Sequence, residues 1–201
     1  MIAINDYDAG NIKSVEKAFL HLGKDVRITR DRDEILSASH VVLPGVGSFG
    51  DAMQHLKEYN LIQTIYDVVD KKIPFLGICL GLQLLFERSD ESKGVSGLGI
   101  LPGEICAIPS APGLKIPHMG WNSLELNPDS KLFKDLEKNP YVYFVHSYYL
   151  KAKNEADVAA KTWYSVNIDA AVERERIFAC QFHPEKSSQT GLKILKNFTD
   201  I

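Results

Sequence analysis

The sequence has only three cysteines in 201 residues, no C-x-x-C pair, and a formal net charge of −3 from 23 basic and 26 acidic residues. The odd, scattered trio of Cys79, Cys106 and Cys180 argues against a disulfide framework and for reduced thiols, as expected of a cytoplasmic protein. No block of basic charge is present, which argues against a nucleic-acid or membrane surface. No apolar run approaches the ~20 residues needed to span a bilayer. The first residues, Met1-Ile2-Ala3-Ile4-Asn5, lack the basic-then-apolar order of a leader. Gly45–Gly50 spells G-x-G-x-x-G, a weak signal on its own, and no Walker sequence is present, so no nucleotide site is read from the glycine-rich stretches. What these absences leave is a small molecule or another protein as partner.

What is present is ordinary in bulk. With 45% hydrophobic and 24% charged residues, the chain can bury one core, and a single domain over residues 1–201 is expected. Strand and helix patterns alternate in its first half. Ile2–Asn5 reads as a strand, followed by a helical stripe over Asn11–Leu22 closed by Gly23. The pattern repeats with a strand at Val26–Thr29, a helix at Asp31–Ala38 and a strand at Val41–Leu43. Helical segments over Asp51–Lys72 follow, broken near Asn60, then a strand at Pro74–Ile78 and a helix at Leu80–Arg88. Such alternation predicts an α/β fold: a mostly parallel open sheet with helices on both faces.

From Gly94, Gly, Pro and Ser punctuate the chain to about Gly120, and strands dominate thereafter. Candidates are Ser123–Leu126, Tyr141–Val145, Val158–Trp163, Ile168–Glu173 and Ile177–Phe182, before a closing helix at Ser188–Thr199. The expectation is antiparallel strands added at one sheet edge.

Residues 77–83 read G-I-C-L-G-L-Q after an apolar strand. In an open parallel sheet, ligands gather at the carboxyl ends of strands, which is where Cys79 falls. Glycines two before and two after relieve the crowding of a sharp strand-to-helix turn, so Gly77 and Gly81 fit a nucleophile elbow. The unpaired N–H groups and positive dipole end of a helix start favour thiolate over thiol. A buried structural cysteine explains the pentapeptide equally well, so a second motif has to decide.

That motif is Q-F-H-P-E at 181–185. Pro184 pushes His183 toward an extended conformation, in which His183 and Glu185 point to one side. An imidazole can take the thiol proton while a carboxylate holds the other ring nitrogen, which makes Cys79, His183 and Glu185 a candidate relay. A zinc site from Cys180, His183 and Cys79 is disfavoured because strand residues three apart face opposite ways. P-G-V-G-S-F-G at 44–50 precedes a helix expected to open at Asp51, with Gln54 placed for a capping box. A thiolate attacking an amide creates an oxyanion, for which the N–H groups of Leu80 and Gly47 are the candidate donors.

P-G-V-G, G-I-C-L-G-L-Q and H-P-E, in this order and spanning nearly the whole chain, resemble the class I glutamine amidotransferases. P-H-M-G-W-N at 117–122, V-H-S-Y-Y at 145–149 and Q-F-H-P-E-K-S at 181–187 resemble, within that class, the glutaminase subunits of imidazole glycerol phosphate synthases. The resemblance implies that Cys79 attacks the glutamine side-chain amide, His183 shuttles the proton and Glu185 orients His183. It also implies that Gln83, Ser147 and Tyr148 bind glutamine, with Gly47 in the oxyanion loop. The implied partner is a cyclase subunit with a (β/α)8 barrel, forming a heterodimer that receives the ammonia for histidine biosynthesis. Met119, Trp121, Asn122 and Lys186 would face it. No cofactor and no metal are expected. His118 and His146 lie in the resembling motifs without an assigned role.

Overall fold

The computed structural model describes residues 1–201. Its first half alternates as the sequence pattern dictates: β1 (Ile2–Asn5), α1 (Ile12–His21), β2 (Val26–Thr29), α2 (Arg32–Leu36) and β3 (His40–Gly45). Then come α3 (Phe49–Glu58), α4 (Leu61–Asp70), β4 (Phe75–Cys79) and α5 (Leu80–Leu84). The second half is mostly strand: β5 (Arg88–Ser89), β6 (Gly103–Ala107), β7 (His118–Ser123), β8 (Glu125–Leu126), β9 (Tyr141–His146) and β10 (Tyr148–Ala152). It closes with β11 (Val158–Tyr164), β12 (Val166–Arg174), β13 (Ile177–Cys180) and α6 (Ser188–Thr199).

The central sheet has eight strands in the order β2-β1-β3-β4-β13-β12-β11-β8. The strands from β2 to β13 run parallel, and β12, β11 and β8 add antiparallel at one edge. Both faces are apolar because alternate strand residues point opposite ways. Ala3, Val41, Leu43 and Phe75 join a cluster with residues of α2 to α5, whereas Ile2, Ile4, Val42, Leu76 and Ile78 join one with residues of α1 and α6. Each fully buried Leu, Ile or Phe contributes about 1.5–3 kcal/mol.

Several local expectations are corrected. The helix after β3 opens at Phe49, not Asp51: Ser48 is its N-cap and accepts from the Asp51 N–H at 3.2 Å, while Gln54 instead donates to Glu58. The helix after Cys79 stops at Leu84 rather than Arg88. Its next carbonyls are taken from outside, with Leu98 N–H on Leu84 O at 2.8 Å and Leu101 N–H on Leu85 O at 3.0 Å. Within the 117–122 segment, residues 118–122 are strand, since β7 begins at His118 and ends at Ser123. Strands β6 and β10 lie outside every predicted element. They belong to a small sheet, β10-β6-β5, while β7 and β9 form another. The chain therefore changes sheets at Ser147, between β9 and β10.

Candidate active site

Three adjacent strand ends build the site. Register sets Gly45 of β3 beside Cys79 of β4, and Cys180 of β13 beside Ile78. The loops leaving β3 and β13 consequently flank the cysteine, bringing Gly47 from one side and His183 from the other.

Cys79 has φ 56° and ψ −109° at the start of α5. A non-glycine residue held in such a region costs on the order of 1–3 kcal/mol. The glycines around it are sterically required. A Cβ at Gly77 would sit 2.7 Å from the Gly81 carbonyl oxygen, and one at Gly81 would overlap the carbonyl oxygen of Leu43 on the neighbouring strand. Gly81 thus serves the packing of helix on β3 as well as the turn.

His183 has the expected extended backbone (φ −100°, ψ 97°), but the strand ends at Cys180 and Glu185 lies in a tight 3₁₀ turn, Pro184–Lys186. The contact still forms, by turn rather than strand geometry: His183 Nδ1–H donates to Glu185 Oε1 at 2.8 Å. The other Glu185 oxygen and His183 Nε2 are buried without a hydrogen-bond partner. Burial pulls the imidazole down, but Cys79 and Glu185 beside it push it up to about 9. No hydrogen bond joins Cys79 to His183 in this conformation. Cys79 Sγ instead receives the Gln181 side-chain N–H at 3.7 Å.

A cavity of about 340 Å³ opens over the cysteine. The expected residues Gly47, Leu80, Gln83, Ser147 and Tyr148 all line it together with Cys79 and His183. Gln83 donates to the Tyr148 carbonyl at 3.2 Å and to the Gln181 side-chain oxygen at 3.0 Å. Gly47 has φ +104° with open space where a Cβ would stand. Met119, Trp121, Asn122 and Lys186 stand outside the cavity. Met119 and Trp121 are 62% and 53% exposed on β7, and Lys186 is exposed beside Glu185.

Three residues escaped the sequence reading, and a fourth, His146, was named there without a role. Glu91 lines the cavity and accepts the Phe49 N–H at 2.7 Å. His146 also lines it. Gln181 touches the thiol, and Asn11 donates to Glu185 Oε1 at 2.9 Å from 174 positions away. Nothing local marks Asn11, whereas Gln181 and His146 sit inside motifs already singled out.

A cysteine on a strained elbow, a histidine–carboxylate pair beside it and a mostly parallel sheet fit a cysteine-dependent α/β enzyme, and the chain belongs to the class-I glutamine amidotransferase family, whose model matches residues 3–201. Within it, the chain is 45% identical over 201 residues to a Methanocaldococcus jannaschii protein named imidazole glycerol phosphate synthase subunit HisH, covering 100% of both. A Synechocystis protein of the same name is 50% identical over 199 residues, covering 98% of this chain and 94% of that one. A crystal structure described as a glutamine amidotransferase superposes with a TM-score of 0.77 at 17% identity, covering 99% of this chain and 97% of the other, which supports the fold.

Proposed function

We propose that residues 1–201 act as one glutaminase domain, the glutaminase subunit of an imidazole glycerol phosphate synthase. It hydrolyses glutamine to glutamate and ammonia and passes the ammonia to a cyclase subunit. The observation that carries this reading is the strained Cys79 elbow facing His183–Glu185 across a cavity lined by Gln83, Ser147 and Tyr148.

In this reading Cys79 Sγ attacks the side-chain carbonyl carbon of glutamine, and the thiol proton goes to His183 Nε2, the ring atom without a partner. The tetrahedral oxyanion is held by the N–H groups of Gly47 and Leu80. His183 returns the proton to the departing nitrogen, and ammonia leaves a thioester on Cys79. Water then attacks the thioester, giving its proton to His183, and glutamate departs as the thiol is restored. Glu185 keeps the imidazole oriented and its charge balanced. Glu91 offers a carboxylate to the substrate ammonium, while Ser147 and Tyr148 hold the amino-acid end.

The cyclase, expected to be a (β/α)8 barrel, would dock on the face carrying Met119, Trp121 and Lys186, with Asn122 behind it on the opposite side of β7. Exposure of large apolar groups there favours a partner: besides Met119 and Trp121, Trp163 is 63% exposed, and its carbonyl accepts from Asn122 at 3.0 Å. The products made with that ammonia would be imidazole glycerol phosphate and aminoimidazole carboxamide ribotide. The decisive comparison is wild type against Cys79→Ala, each with and without the cyclase subunit and its ligand. The reading expects glutamate release to be stimulated by the cyclase in wild type and abolished in the variant. Unchanged release from Cys79→Ala would sink it.

A further inference from the structure

Two buried histidines outside the proposed chemistry form a connected pair. His118 on β7 faces His146 on β9 in register, and their rings meet at 2.9 Å through His118 Nδ1 and His146 Nε2. The pair extends in both directions. His146 Nδ1 lies 2.8 Å from the Tyr148 carbonyl oxygen, and His118 Nε2 lies 3.4 Å from Asn122 Nδ2.

The chemistry of these partners allows one polarity only. A carbonyl accepts, so His146 carries its proton on Nδ1, which leaves Nε2 as an acceptor. His118 must then donate from Nδ1 and accept at Nε2 from the Asn122 amide. The Asn122 orientation agrees, because its Oδ1 accepts the Ser123 N–H at 2.9 Å while Nδ2 also donates to Trp163 O. All donors therefore point from Asn122 toward Tyr148. A second proton on either imidazole would set two donors against each other. Burial keeps both rings neutral, lowering His118 to about 4 and, with the neighbouring His118 and His183 also lowering it, His146 to about 3.

The ring of His118 is also fixed in plane, stacked against Tyr164 at 3.9 Å and Phe144 at 4.7 Å between centroids. Along β7, His118 and Asn122 share one side while Met119 and Trp121 take the other. The inner end of the chain reaches the carbonyl that Gln83 also holds, at the point where the backbone changes sheets and lines the cavity.

We propose that Asn122, His118 and His146 are a positioning relay that transmits the placement of β7 to the Tyr148 carbonyl and so sets the substrate-binding turn at Ser147 and Tyr148. The relay rests on the glutaminase reading for the identity of the ligand. Contact on the exposed side of β7 would shift His118, and the directional bonds would carry that shift to the turn. None of the three side chains hydrogen-bonds to Cys79, His183 or Glu185, so the effect falls on glutamine binding rather than on bond cleavage.

The test begins with the full chain, isotopically labelled at histidine ring nitrogens and backbone carbonyls. Long-range nitrogen–proton spectra are expected to show both His118 and His146 protonated at Nδ1 alone. A proton on Nε2 of His146 would overturn the relay. In His118→Leu the Tyr148 carbonyl resonance moves, and in His118→Asn, whose amide can donate where Nδ1 did, it returns. Kinetics with the cyclase subunit should follow: KM for glutamine rises about fivefold or more in His118→Leu, with kcat within about twofold, and His118→Asn restores it. Equal behaviour of the two variants, or a loss confined to kcat, overturns the proposal. If His118→Leu does not fold, the milder Asn122→Ala must raise KM about twofold or more, and an unchanged KM there has the same force. The spectra require no turnover, so a failed relay remains distinguishable from a chain that does not hydrolyse glutamine.

Discussion

At the scale of single residues, the site depends on groups that hold other groups. Asn11 stands at the N-terminus of α1 in a left-handed conformation, and its side chain makes no cap to that helix; it donates to Glu185 instead. Hydrogen bonds to charged groups are worth about 1.5–3 kcal/mol. Asn11→Ala is therefore expected to lower kcat about tenfold or more with little change in KM, as steady-state glutamate assays would reveal. His183 carries a pH prediction. Its folded value of about 9 lies above the ordinary 6.5, so its contribution to stability is full below pH 6.5 and lost as pH rises through 9. Melting curves of wild type and His183→Gln should converge above that pH. Turnover should fall there as well, because in the proposed mechanism the departing nitrogen takes its proton from the imidazolium.

At the scale of elements, close packing holds the turns of the candidate site in place. Helix α6 presses on the Pro184–Lys186 turn at Gly191, where a Cβ would overlap the Pro184 carbonyl oxygen. Ser187 ties the same turn to β9: its hydroxyl donates to His183 O at 2.6 Å and accepts the Tyr143 N–H at 3.0 Å. Gly191→Ala is expected to shift the turn and reduce activity before the protein loses its fold, visible as inactive protein with native circular dichroism. Gly81→Ala strikes two main-chain segments at once and should cost about 3 kcal/mol or more, read as a fall in denaturation midpoint. Strand and helix identities were largely legible because they follow periodicity. The early end of α5 was not, because distant N–H groups claim its last carbonyls.

At the scale of the whole molecule, the site and the exposed apolar face share one small sheet. Strand β9 reaches the cavity through Val145 and His146, while its partner β7 presents Met119 and Trp121 outward. Apolar anchors of this kind commonly contribute about 2 kcal/mol or more to binding. Trp121→Ala and Trp163→Ala should each weaken association with the cyclase by roughly thirtyfold, measurable by titration calorimetry, with the isolated chain still folded. Unaltered affinity in both would place the interface elsewhere.

The sequence by itself determined the alternating α/β order, the parallel half of the sheet, the glycine-flanked cysteine and the H-P-E partner. Each of these is written in neighbouring residues as period, turn chemistry or spacing. Only the tertiary structure decided that Asn11 holds Glu185, that Gln181 touches the thiol, that Glu91 enters the cavity, and that His118 and His146 form a directional pair. Those contacts join residues 28 to 174 positions apart in the cases of the histidine pair, the thiol and Glu185. Their physical cause is strand register and sheet order, which local propensity leaves open until the strands have paired.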